Sequence, residues 1–197
     1  MNIQSKPMGP YQTNCYIVTI DKKDLIIDPG VGATDWVLKH IKNPIAILNT
    51  HGHFDHIWSN QELKQKLNIP IFCPEADVFM LEKDPFGQGT PNSNADVAVK
   101  PDEAITIEDI SITFLHFPGH TPGCSAIEIG DNWFCGDFLF KGSIGRVDFP
   151  YSNPEDMKKS LKKAMNYKNN VTLYPGHGPI STLETEKRNI SYWLRVI

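Results

Sequence analysis

Residues 51–56 read HGHFDH, three imidazoles and a carboxylate within six positions of a chain that has only 7 histidines in 197 residues. Imidazole nitrogen and carboxylate oxygen are the donors that suit borderline cations such as zinc. The preceding stretch PIAILNT (44–50) is apolar and reads as a strand. A backbone leaving that strand extended alternates its side chains with period two, which puts His51 and His53 on one side, within reach of one ion. The chain must then turn, so Asp55 and His56 approach from another direction. Gly52, between the first two histidines, permits close approach or an unusual backbone angle.

Three more stretches share this layout, an apolar strand running into a loop that presents one donor. FLHFPGHTPG presents His120, NWFCGDFLF presents Asp137 and VTLYPGHGP presents His177. Sites are commonly assembled from loops at strand ends, so these three join HGHFDH as candidate metal ligands. LIIDPG ends another apolar strand at Asp28, which reads either as a turn-capping aspartate or as a carboxylate that orients a ligand imidazole. His40, in the polar helical pattern DWVLKHIKN, reads as a surface residue, and His116 as a structural residue or a neighbour of the ligands.

The elements that must position these groups follow from hydrophobic periodicity. Besides 44–50, strand patterns cover 14–20, 24–30, 69–73, 110–117, 124–130, 132–137 and 171–176. Helical patterns cover 33–43, 59–67, 74–83, 153–165 and 181–194, the fourth with Pro154 at its start and acids in its first turn. Segment 84–103, rich in Pro, Gly, Asn and Asp, reads as a long surface loop inside a single domain. Strands and helices interspersed in this way predict mixed sheets covered by helices.

Composition sets the background: 40% hydrophobic and 21% charged residues are ordinary for a globular protein with a sizeable core. A net charge of −4 with no basic run argues against nucleic acid as a partner. The N-terminus lacks a signal-peptide pattern and no window approaches a membrane span, so the expected location is the cytoplasm, away from any membrane. Cys15, Cys73, Cys124 and Cys135 form no CxxC pair and are expected to be reduced, buried thiols.

THGHFDH, PGHTPGC, CGD and PGHGP, in that order, resemble the metallo-β-lactamase superfamily over essentially the whole chain. The resemblance implies an α/β (α+β) fold, a four-layer αββα sandwich of two mixed β-sheets flanked by helices, spanning 1–197 as one domain. It also implies two divalent metal ions at one edge of the sandwich, Zn²⁺ foremost, with Fe or Mn also suited to the donors. Carried over, His51, His53 and His120 hold the first ion, Asp55, His56 and His177 the second, and Asp137 bridges both. The β-lactamases proper place cysteine at the bridging position, whereas relatives resembling glyoxalase II have aspartate there, which disfavours β-lactamase activity.

Within the superfamily the likeness is to short glyoxalase II-like thioester hydrolases acting on S-lactoylglutathione or a related acyl-thiol. By that likeness a bridging hydroxide attacks the thioester carbonyl, and Asp55 orients the nucleophile or takes its proton. FLFKGSIGRVDFP (138–150) resembles their substrate-side loop and nominates Lys141 and Arg146 as substrate contacts. Arg146 stands where glyoxalase II has a lysine; its other reading is an ion pair with Asp148. Three departures stand out. No room is expected for the C-terminal helical domain that supplies glutathione contacts in full-length glyoxalase II, GRVDF puts Asp148 where those relatives carry an aromatic, and IWSN follows the motif where relatives carry glycines, so Trp58 either narrows the pocket or simply packs. An iron-dependent persulfide dioxygenase, which shares the TPGC and GRxDF patterns, is the alternative; a lactonase or a non-catalytic metal-binding domain is more remote.

Overall fold

The computed structural model describes residues 1–197. Six strands form the first sheet in sequence order: β1 (Asn2–Met8), β2 (Thr13–Ile20), β3 (Lys23–Ile27), β4 (Pro44–Leu48), β5 (Ile71–Pro74) and β6 (Val97–Val99). The β1–β2 and β2–β3 pairs are antiparallel; the rest of that sheet is parallel. The second sheet contains β7 (Glu103–Ile107), β8 (Ile110–His116), β9 (Ser125–Ile129), β10 (Asn132–Gly136), β13 (Thr172–Pro175) and β14 (Ser181–Thr182), in the spatial order β14-β13-β10-β9-β8-β7. Its β10–β13 pair is parallel and its other pairs antiparallel. A small hairpin, β11 (Leu139–Phe140) with β12 (Ser143–Ile144), projects between β10 and β13.

Alternation along the strands creates the layers. Tyr16, Val18, Leu25, Ile27, Ala46 and Leu48 point from the first sheet into a core shared with Ile112, Phe114, Ile127 and Phe134 of the second. The intervening Cys15, Ile26 and Ile47 face outward and are covered by Val37 of α1 (Ala33–His40), Ile57 of α2 (Phe54–Ile57), Leu63 of α3 (Asn60–Leu67) and Leu81 of α4 (Val78–Lys83). On the far side Ala126, Trp133, Cys135 and Leu173 meet Met157 and Leu161 of α5 (Pro154–Met165) and Ile190 of α6 (Leu183–Val196). The result is the expected four layers, helices outside two facing mixed sheets. All four cysteines are buried free thiols, and no helix is long and apolar enough to cross a membrane.

Where the elements differ from the sequence reading, the cause is local. β1 carries mostly exposed side chains, so it has no apolar alternation to read, and only its seven-pair register with β2 defines it. Segment 84–103 contains β6, three residues recruited by parallel pairing to β5. The helical pattern 74–83 begins as a 3₁₀ turn, Glu75–Asp77, before α4. The start of α5 is as read: Pro154 occupies its first turn and Asn153 Oδ1 accepts from the Glu155 and Asp156 amides at 2.9 and 3.2 Å.

Candidate metal centre

β3 and β4 run parallel, as do β10 and β13, so the loops that leave their C-terminal ends gather at one edge of the sandwich. These loops carry Asp28, His51, Asp137 and His177, while the loop after β8 adds His120 and α2 adds Asp55 and His56. His51, His53 and His120 place one donor each within 4.8 Å of one another, and so do Asp55, His56 and His177. Asp137 stands between the sets: Oδ1 lies 3.3 Å from His56 Nε2, and Oδ2 lies 3.3 Å from His120 Nε2 and 3.4 Å from His177 Nε2. All seven residues named by sequence therefore converge. All but the partly exposed His177 are buried.

Hydrogen bonds on the outer side aim the rings inward. Nδ1 of His56 donates to Asp28 Oδ2 at 2.9 Å, Nδ1 of His120 to the Arg146 carbonyl at 2.8 Å and Nδ1 of His177 to the Tyr11 carbonyl at 3.1 Å. These partners only accept, so each ring keeps a proton on Nδ1 and turns Nε2 to the centre. The Thr50 hydroxyl donates to Asp28 Oδ2 at 2.6 Å, leaving its oxygen to accept from His51 Nδ1 at 3.0 Å. His53 is reversed, with Nδ1 facing inward 2.8 Å from His120 Nε2. Nε2 of His51 and His56 and Oδ1 of Asp137 are buried without a hydrogen-bond partner. Inward-facing donors left unpartnered at this depth are what a bound cation would satisfy, so the residues fit two divalent ions.

Asp28 illustrates how two readings of one residue separate. Its carboxylate also accepts from the Thr50 amide at 2.8 Å, so it orients His56 directly and His51 through Thr50. A third close grouping, Asp28, His51 and His56, has its carboxylate already occupied by these donors.

The ligand set has a polarised titration. Burial holds His51 well below the ordinary histidine range and His53 down to about 3, reinforced by neighbouring imidazoles. Burial also opposes charge on His56, His177 and Asp55, yet there the pairing wins. Asp55, Asp137 and Asp28 raise His56 well above its ordinary value, and hydrogen bonds to Asp137 and Asp55 raise His177 to about 9. His56 and His177 in turn lower Asp55 to about 2. In the metal-free chain at pH 7, His56 and His177 hold protons that an ion must displace. Loading with a divalent ion should then release one proton from each, and affinity should climb with pH, the His177 contribution levelling off near 9. The slope is about tenfold per pH unit for each displaced proton. Indicator-dye proton counting with affinities at several pH values checks this; loading without proton release at pH 7 contradicts it.

A cavity of about 570 Å³ opens over this centre, lined by His53, Asp55, His120, Asp137 and His177 at its floor and by Tyr11, Phe54, Phe86, Phe140, Phe149 and Arg146 on its walls. Two expected substrate contacts lie elsewhere. Trp58 is not part of the lining: it sits one helical turn past Phe54, about 6 Å further along the axis, and Phe54 faces the cavity instead. Lys141 is exposed in the turn of the β11–β12 hairpin, whose Phe140 and Ile144 do reach the cavity, while the turn is held by Gly142 N–H donating to Glu186 of α6 at 2.8 Å. Arg146 lines the wall, but its guanidinium is held by Asp148 through bonds of 2.8 and 2.7 Å.

Asp77 was not singled out by any sequence pattern. It is fully buried, and its carboxylate accepts from Gly52 N at 3.0 Å, Thr121 Oγ1 at 2.6 Å and Gly123 N at 2.6 Å. It thereby ties the loop of His51 and His53 to the loop of His120. In sequence it looked like an acid in a helix's first turn, an ordinary place for one. A side chain on Gly52 would meet Met80 Cβ at 2.7 Å, which explains the glycine inside the motif. Thr13 was equally silent; its hydroxyl donates to Asp55 Oδ2 at 2.6 Å.

Comparison with known proteins agrees with this geometry. Residues 8–177 match the family described as Metallo-beta-lactamase superfamily. Hydroxyacylglutathione hydrolase GloC of Haemophilus influenzae is 35% identical over 208 residues, covering 96% of each chain. Among solved structures, BLEG-1 B3 metallo-beta-lactamase superposes with a TM-score of 0.87 at 27% identity, covering 98% of this chain and 99% of the other. TTHA1623 in a di-iron-bound form superposes with a TM-score of 0.82 at 31% identity, covering 94% and 98%. The chain belongs to the metallo-β-lactamase superfamily of metal-dependent hydrolases.

Proposed function

We propose that this protein is a thioester hydrolase of glyoxalase II type, acting on S-lactoylglutathione or a related acyl-thiol. The observation that carries the reading is the pair of three-donor sets joined by Asp137 beneath an open cavity; the full-length likeness to GloC supports it. His51, His53 and His120 would hold one ion, Asp55, His56 and His177 the other, and Asp137 both. Bound divalent ions supply a water nucleophile acidified into the neutral range and polarise a carbonyl.

The chain's own residues do the remainder. Asp28, Thr50 and the Arg146 and Tyr11 carbonyls hold four imidazoles in one tautomer, so no ring must reorient during turnover. Asp55 is held ionised near neutral pH. Its Oδ2 is engaged by Thr13 and faces His56 and His177 at 3.6 and 3.4 Å, which leaves Oδ1 to orient the attacking water or accept its proton. The departing thiolate is a good leaving group and needs no strong general acid. Aromatic walls offer the acyl group an apolar surface beside the centre.

The test is enzyme of measured metal content, reloaded with zinc, iron or manganese, against a panel of thioesters including S-lactoylglutathione, a lactone, a phosphodiester and a β-lactam. Thioester turnover rising to two ions per chain is expected. Activity confined to the lactone, phosphodiester or β-lactam would overturn the reading, as would one iron per chain with rapid oxygen uptake on glutathione persulfide.

A further inference from the structure

The wall beside the candidate ligands is mostly aromatic. Phe86 stacks edge-on to His53 at 5.0 Å between ring centroids, and Phe149 approaches both His53 and His120 at 5.9 and 6.0 Å. Tyr11 and Phe54 form an edge-to-face pair at 5.1 Å on the facing side. Tyr11 and Phe149 are exposed large apolar residues, 53% and 38% accessible, in loops at the cavity mouth. Phe86 is braced from behind by Tyr151, at 6.0 Å, which itself leans on Phe79.

Arg146 is the one guanidinium or ammonium on the cavity wall, and it is already neutralised. Asp148 grips it bidentately, and the guanidinium lies 4.2 Å above the Phe149 ring. Asp148 fills the Nε–Nη2 edge with both carboxylate oxygens, so a substrate carboxylate must either displace it there or approach the remaining Nη1 end, where it meets a charge already balanced. What remains on offer is a flat cation–aromatic ledge that suits an apolar surface.

We propose that the substrates this site handles best are thioesters with an aromatic or branched apolar acyl group on a thiol that presents no carboxylate to Arg146. The proposal narrows the thioester reading and rests on it. Phe86, Phe149, Tyr11 and Phe54 bind the apolar group, and Asp148 acts as a filter against anionic thiols by occupying Arg146.

A two-by-two set of substrates separates the claims: phenylacetyl and lactoyl acyl groups, each on glutathione and on uncharged N-acetylcysteamine, all with the metal-loaded enzyme. Phenylacetyl thioesters should exceed lactoyl ones by about tenfold or more in kcat/KM, the scale of a few methylenes in an apolar pocket. N-acetylcysteamine should serve as well as glutathione or better. Asp148→Asn, which frees the guanidinium, should shift the preference toward glutathione by about threefold to fivefold, the scale of one exposed ion pair. Phe86→Ala should raise KM for phenylacetyl thioesters more than for lactoyl ones. A wild-type preference for S-lactoylglutathione overturns the proposal while leaving the thioester reading intact, and so does a thiol preference unmoved in Asp148→Asn. No turnover of any of the four overturns the thioester reading itself.

Discussion

Asp137→Ala should bind neither ion at micromolar metal and should lose about 10⁴-fold or more in kcat/KM, roughly 5 kcal/mol of transition-state stabilisation. The size follows from position: one oxygen faces His56 and the other faces His120 and His177, so a single truncation strips a donor from both half-sites. It also leaves His56, whose raised pKa depends on Asp55, Asp137 and Asp28, with two carboxylates instead of three, making His56 easier to deprotonate. The fold should survive, because Asp137 lies outside the three hydrophobic clusters that join the layers. Metal analysis after dialysis, circular dichroism and kinetics on a thioester check all three parts. Wild-type turnover at full occupancy would remove Asp137 from the centre.

Gly176→Ala should cost about 10²–10³-fold in activity without replacing any candidate ligand, since displacements near 1 Å at a reacting centre carry effects of that order. A Cβ there would stand 2.3 Å from Asp137 Oδ1 and 2.6 Å from His56 Cε1. The backbone cannot retreat easily, because Gly176 N–H donates to Gly136 O at 2.8 Å and its carbonyl accepts from Asn14 N at 2.7 Å. The side chains must move instead, and they are two of the groups that define the ion positions. Overpacking of this kind costs about 1–3 kcal/mol, a fall in Tm of several degrees for a chain of this size. A cobalt-substituted sample should show a changed ligand-field spectrum; unchanged spectrum and rate would mean that the cradle is looser than drawn.

The candidate ligand set was legible in sequence because each stretch that carries its donors follows an apolar strand, and a strand end directs the next residues to a sheet edge. Such strand–donor units are local, so they survive in one dimension. Asp28 was half legible: its strand-end position was clear, but whether it merely capped a turn depended on how far His56 lay from it. Asp77 was not legible at all, since its three donors come from residues 52, 121 and 123. Nor was β1, an edge strand whose exposed side chains carry no burial pattern.

The substrate side shows the same division. The ion pair of Arg146 with Asp148 spans two positions and was one of two readings available from GRVDF; the structure shows the pair formed. Lys141, nominated by the likeness of 138–150 to a substrate-side loop, and Trp58, which had a pocket reading and a packing reading, lie outside the cavity, because the length of a hairpin and one helical turn carry them past it.

Sequence alone marked the seven candidate donors and the interspersed strands and helices, which depend on residue type and on short-range alternation, and its motifs carried the resemblance that implied the layered fold and the superfamily. Only the tertiary structure decided which nitrogen each imidazole turns inward and that the wall beside them is aromatic with its one guanidinium already paired. Those properties belong to contacts between loops far apart in the chain, which the packing of two sheets brings to one edge.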